Sequence, residues 1–143
     1  MKDSIIRPFA FALFMLPVGV LTPILEVSPT HLFDPAWPGH ARLHEAWQLV
    51  TNMAFAGFAI WLAAARKEDR LACIVGLIVN VAFLAAVLLA PAYGGTMRHS
   101  DGSELAIGGL NIAIVIMLVA TAGLLALFIT APRELPRCGQ QPK

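Results

Sequence analysis

The sequence is short of charge. Of its 143 residues only 13% are Asp, Glu, Lys or Arg, about half the ~25% usual in soluble domains. No block of like charge occurs, and the formal net charge is +1. A chain without a basic block cannot grip a phosphate backbone, so a nucleic-acid partner is excluded. Cysteine is scarce as well: Cys73 and Cys138 are too few to staple a small secreted domain, and their spacing matches no metal motif. No nucleophile motif, phosphate-binding loop or transporter-style pair of broken helices is present.

What the sequence has is apolar length. Hydrophobic residues make up 58% and the mean hydropathy is +0.74. A soluble domain of this size could not hide that much apolar surface. The excess lies in four runs, at residues 8–25, 46–65, 71–91 and 105–131, none containing Asp, Glu, Lys or Arg. A bilayer core about 30 Å thick needs roughly 20 such residues in a helix. The runs are too long for barrel strands and do not alternate. The expected fold is all-α, a four-transmembrane-helix bundle over residues 1–132, with a disordered cytoplasmic tail at 133–143. Pro17 and Pro23 should kink the first helix or loosen its outer half.

The basic residues orient the bundle. Lys2, Arg7, Arg66, Lys67, Arg70, Arg133, Arg137 and Lys143 fall on one side of the four runs, and only Arg42 and Arg98 on the other. The positive-inside rule then places both termini in the cytoplasm. No small-x-small cleavage site follows the first run, so it reads as a retained helix. The expected location is the inner (plasma) membrane of a bacterium. Both cysteines then face a reducing compartment, and no disulfide is expected.

Polar chemistry collects on the opposite, outer side. All four histidines are there: His31, His40 and His44 in the first outer segment, His99 in the second. Glu26, Asp34, Glu45, Asp101 and Glu104 join them. Pro29, Pro35 and Pro38 forbid a helix before about Gly39, after which one can run unbroken to Ala65. Trp37 and Trp47 sit where an interfacial aromatic belt would be. His40 and His44, at i and i+4, share a helix face. Gln48 and Thr51 continue the stripe and Asn52 borders it, about 18 Å below His40 at 1.5 Å per residue. Asn80 lies in the middle of the third run and Asn111 shallowly in the fourth, beside Gly108 and Gly109. Such residues face a bundle interior or a wet cavity, or serve as interhelical glue. The pattern predicts an outward-opening polar cavity lined by the second, third and fourth helices. Asp101-Gly-Ser-Glu104 has capping-box spacing, which makes Asp101 the expected cap of the fourth helix.

The segment Thr30-His31-Leu32-Phe33-Asp34-Pro35-Ala36-Trp37-Pro38-Gly39-His40-Ala41-Arg42-Leu43-His44 resembles the signature T-H-x-[FY]-[ND]-P-x-W-P-x-H-A-[RK]-x-H. That signature marks an uncharacterised family of small four-helix membrane proteins of bacteria and fungi. Here Asp34 stands where Asn is usual and Glu45 follows His44 in place of Asn, which makes the site more acidic. The resemblance implies the four-span layout and carries no activity. More loosely, the architecture is similar to DoxX-like proteins and to the sterol-isomerase group, whose members use His and Glu on hydrophobic substrates in a membrane cavity. No motif of that group is present, so this is analogy alone.

Three functions compete. The first is an enzyme or binder of a hydrophobic small molecule such as an isoprenoid, a sterol-like lipid or a quinone. His40 and His44 would be its acid/base residues, because histidine titrates near neutral pH. Glu45 or Glu104 would orient a histidine or hold a developing cation. Gln48, Asn52, Asn80, Asn111, Trp37 and Trp47 would line the ligand site. Isomerisation or cyclisation of a double bond needs only such a donor and acceptor. The second is a metal site built from His40 and His44 with His31 and His99. The glutamate of a zinc-protease motif is missing, since Ala41 follows His40. The third is an accessory subunit of a larger membrane-protein complex, with Gly108, Gly109 and Gly123 serving helix packing. Haem bridging two helices needs histidines in facing spans, and the third and fourth have none. No cofactor is implied, and the bilayer itself is the first partner.

Overall fold

The computed structural model describes residues 3–132, with side chains from Ile6 onward; the tail at 133–143 and Cys138 lie outside the described residues. The chain folds as four helical passes joined by one short turn and two longer connections. The first pass is α1 (Asp3–Leu16), which opens into a wide π-helical turn at Pro17–Leu21 and resumes as α2 (Thr22–Glu26). Pro17 has no N–H to give to the preceding turn, and the Thr22 amide reaches back five residues to the Pro17 carbonyl. The loosening foreseen at Pro17 and Pro23 thus takes the form of a widened turn within a continuous helix.

The second pass is α3 (Gly39–Trp61), extended by a π-helical turn at Leu62–Arg66. It begins directly after Pro38, whose extended backbone sets the boundary. The tight return to α4 (Asp69–Tyr93) is made at Lys67, which adopts a left-handed conformation with φ 60°. Pro91 lies in the last turn of α4, and Gly94 at φ 71° ends the helix with its amide on the Ala90 carbonyl. The last pass is α5 (Ile112–Thr130).

The start of α5 corrects the sequence reading. Residues 105–111 are not helical: β1 (Ala106–Ile107) and β2 (Leu110–Asn111) form a small antiparallel hairpin. Gly108 and Gly109 make its two-residue turn at φ 60° and 81°, a backbone that most side chains resist. Nor does Asp101 cap the helix. Asn111 does so, its Oδ1 accepting from the amides of Ala113 at 3.0 Å and Ile114 at 3.3 Å. Asp101 instead closes its own loop, accepting from the Ser103 amide at 2.9 Å and hydroxyl at 2.6 Å. Both hydrogen bonds hold its pKa below the ordinary carboxylate value.

The core runs along the middle of the bundle, through Met15, Val18, Ala56, Ala59, Ala72, Val75, Met117 and Leu124. Small residues let the helices approach. A Cβ on Gly19 would stand 2.9 Å from that of Ala56, and one on Gly76 would stand 2.8 Å from Met15 Sδ. Gly123 receives the Phe14 ring in the same way. Gly108 and Gly109 serve the hairpin rather than packing. Outside this core the surface is apolar, with Leu88 80% exposed and Phe9 72% exposed. All four passes are long and apolar enough to cross a membrane.

The two ends of the bundle differ. At the end holding residues 3–7, Arg7 Nε lies 2.7 Å from Asp69 Oδ2. The same guanidinium donates to the Leu127 carbonyl at 2.8 Å and to Thr130 Oγ1 at 3.2 Å. One cation therefore ties α1, α4 and the carbonyl end of α5 together. The opposite end carries the long loop 27–38, the loop 94–105 and the hairpin.

Candidate functional site

Among the described residues, two cavities lie toward the half of the bundle that carries the loops. The larger, about 510 Å³, lies beneath the loops and is lined by Glu26, His31, Trp37, Arg98, His99 and Asn111 among others. The smaller, about 370 Å³, lies between the helices and is lined by Glu45, Gln48, Thr51, Asn52, Thr22 and apolar residues including Phe55, Val79 and Ala82. Glu26 and Phe83 border both. The two spaces therefore meet at a carboxylate and an aromatic ring.

Glu26 ends α2 and so stands where the first pass gives way to the loop. Its Oε2 lies 3.4 Å from His31 Nε2. The other ring nitrogen, His31 Nδ1, lies 3.1 Å from the hydroxyl oxygens of both Ser28 and Thr30. Those hydroxyls can donate or accept, so the ring can carry its proton on either nitrogen. The His31 ring stands edge-on to His99, with centroids 4.5 Å apart, and nearly perpendicular to Trp37 at 6.1 Å. Burial holds the His31 pKa below its ordinary value and the neighbouring His99 adds to the effect; Glu45, Asp101 and Asp34 oppose it.

The loop is stiffened from within. Asp34 is 4% exposed, and its Oδ1 accepts from the Ala36 amide at 2.8 Å. Ser100 Oγ donates to the Thr30 carbonyl at 3.3 Å, which leaves Asp34 Oδ2 without a partner. The neighbouring Ser100 hydroxyl and the Ala36 amide hold that carboxyl below its usual pKa.

The structure divides the residues foreseen from sequence. Glu45, Gln48 and Asn52 line the smaller cavity, and Trp37 and Asn111 the larger. His40 and His44 line neither: both are exposed, and they pair with each other, Nε2 to Nε2, at 3.0 Å. The reason is position along α3 rather than helical phase: Gln48 and Thr51, four and seven residues after His44 and so on its side of the helix, do line the smaller cavity, whereas His40 and His44 precede Glu45, the first α3 residue to do so. Trp47 follows His44 onto the outer surface, its ring 5.9 Å away. Glu104 is exposed on the loop, 3.2 Å from Asn111 Nδ2 and 3.7 Å from Arg98 Nε.

Asn80 does not reach a cavity. It is fully buried, its Nδ2 donates to the Gly76 carbonyl at 2.9 Å, and its Oδ1 has no partner. The four-histidine metal set is not assembled: His31 meets His99, His40 meets His44, and among the described residues no three His, Cys, Asp or Glu side chains converge on a point. Glu26 and Phe83, at the centre of the arrangement, were not among the residues singled out as site candidates. Chemically, the site joins a carboxyl group bordering both cavities to a histidine that can exchange protons with hydroxyls and with the larger cavity.

Set against known proteins, the chain matches no family profile, no curated protein and no solved structure.

Proposed function

We propose that this chain is an integral membrane protein with both termini cytoplasmic. In this reading its two joined cavities open outward and hold a hydrophobic small molecule, of the isoprenoid, sterol-like or quinone type. The orientation is supported by the distribution of Lys and Arg. The apolar belt, with residues such as Leu88 80% exposed, is supported by the preference of such surface for lipid.

The observation that carries the ligand reading is Glu26. Its carboxyl group borders both cavities, and it faces His31 Nε2 at 3.4 Å. A pocket that is mostly apolar with a few convergent polar groups is the usual form of a small-molecule site. Where a bound molecule is transformed, Glu26 and His31 form the acid/base pair, with Glu45 as the second carboxyl group in the smaller cavity. Proton addition and removal suffice for moving a double bond or closing a ring.

The test is mass spectrometry of lipids that co-purify with the protein from its membrane. A specific hydrophobic molecule should be retained by the wild type and lost from Ala82→Phe, which fills the smaller cavity. Equal retention by a correctly folded Ala82→Phe would defeat the proposal. Single cysteines at Ser100 and Lys67, probed with an impermeant thiol reagent on intact cells, test the orientation. Labelling of Lys67→Cys rather than Ser100→Cys would reverse it.

A further inference from the structure

His40 and His44 take no part in either cavity. They stand one turn apart on the exposed side of α3, their Nε2 atoms 3.0 Å apart and their rings at 83°. At that separation one Nε2–H donates to the Nε2 of the other ring, and the two nitrogens are close enough for one cation to take the place of that proton. We propose that His40 and His44 form a two-nitrogen chelate for a divalent transition-metal ion, copper(II) in particular, distinct from the cavities and independent of what they bind.

The ligand type narrows the metal: two imidazole nitrogens suit zinc, nickel and copper(II). Among divalent first-row ions copper(II) binds a given nitrogen set most strongly, so it should win over nickel.

The helix does the positioning. His40 is the second residue of α3 and His44 lies one turn further in, so the helix sets their spacing. Little ordering remains to be done when the metal arrives. No third His, Cys, Asp or Glu side chain completes a ligand group among the described residues. The remaining positions are therefore filled by water, which makes the site exchangeable rather than structural.

The experiment is equilibrium dialysis of the full chain in neutral detergent against copper(II), with electron paramagnetic resonance on the loaded sample. The wild type should bind copper with a two-nitrogen signature. His40→Gln and His44→Gln should each weaken binding at least about tenfold, because either change turns a chelate into a single contact. The double variant should be little worse than either single one. Copper should quench Trp47, whose ring is 5.9 Å from His44, and Trp47→Phe should remove that quenching while leaving dialysis binding intact. His99→Gln should bind as the wild type does. Wild-type copper affinity in a helical, correctly folded His40→Gln or His44→Gln overturns the proposal. So does tighter binding of zinc than of copper, or loss of the two-nitrogen signature in His99→Gln.

Discussion

The rings of His31 and His99 meet edge-on at 4.5 Å, although 68 positions separate them in the chain, and this contact joins the two loops that roof the larger cavity. Beside it, Ser100 Oγ reaches the Thr30 carbonyl at 3.3 Å. The roof is thus held by one aromatic contact and one long hydrogen bond, in reach of Glu26, Asp34, Glu45 and Asp101.

That roof should loosen in acid. Burial, and then His99, lower the His31 pKa in the folded state. A histidine whose folded value is depressed takes up more protons when released, so its share of the stability is present above its ordinary value of about 6.5 and is lost as pH falls below it. Hydrogen exchange of residues 28–38 should therefore quicken between about pH 7 and pH 5. His99→Gln removes one of the two depressing causes and should flatten that dependence. A rate profile that is unchanged in the variant would sever the link to this contact.

The opposite end should respond to salt-bridge removal. Arg7 and Asp69 side chains are 25% and 23% exposed, and the guanidinium makes two further hydrogen bonds to α5. Arg7→Ala should lower unfolding free energy by about 1–2 kcal/mol, the range for a charge-assisted hydrogen bond partly open to solvent. Asp69→Asn, which keeps the shape and loses the charge, should cost less. Denaturant titration in detergent measures both.

The start of α5 separates two caps. Asn111→Ala should cost about 1 kcal/mol of stability, because two amides of the first turn lose their acceptor. Asp101→Ala should leave the helix unchanged and act on its own loop alone. Thermal unfolding with helicity as the readout distinguishes them, and a larger effect from Asp101→Ala would reverse the assignment.

These residues also show what can be read from sequence and what cannot. Four apolar helices, their approximate limits and the start of α3 after Pro38 follow from hydropathy and proline chemistry, which are local. The hairpin at 106–111 was hidden because its residues are apolar enough to extend the last run. Its local signal was Gly108-Gly109 flanked by apolar pairs, followed by Asn111 before an unbroken apolar stretch. The site is different in kind. His40 and His44 are eye-catching because they are close in sequence, whereas the residues gathered around the cavities are Glu26, His31, Glu45, Phe83 and His99, which only the packing of separate helices and loops brings together. The smaller cavity begins at Glu45 and takes in Gln48, Thr51 and Asn52, so where it starts along α3 is set by how the helices pack, as at Gly19 against Ala56, and not by the His40/His44 spacing.

Asn80 makes a prediction about the core. Its amide oxygen is buried without a partner while its nitrogen bonds Gly76 one turn back. Leucine has the same branching and number of side-chain heavy atoms, none of them polar. Asn80→Leu should therefore be neutral or stabilising by up to about 1 kcal/mol. A marked loss of stability would mean that the oxygen holds a partner that matters to the fold.

The last prediction sets Glu26 against His44. Glu26 borders both cavities and touches His31, while His44 is exposed and touches only His40 and Trp47. Glu26→Gln preserves the volume and removes the charge and the proton. It should reduce retention of a co-purifying hydrophobic ligand about tenfold or more, since a hydrogen bond to a charged group contributes about 1.5–3 kcal/mol. His31→Gln should weaken retention less, because its hydrogen bonds go to Ser28, Thr30 and Glu26 and its loss is felt through Glu26. His44→Ala should leave retention unchanged and affect copper binding alone. The two histidine variants thus report on separate places in the molecule. If His44→Ala empties the ligand site while Glu26→Gln leaves it filled, the helix face turned toward the ligand is the one bearing His40 and His44, and the cavity assignment is wrong.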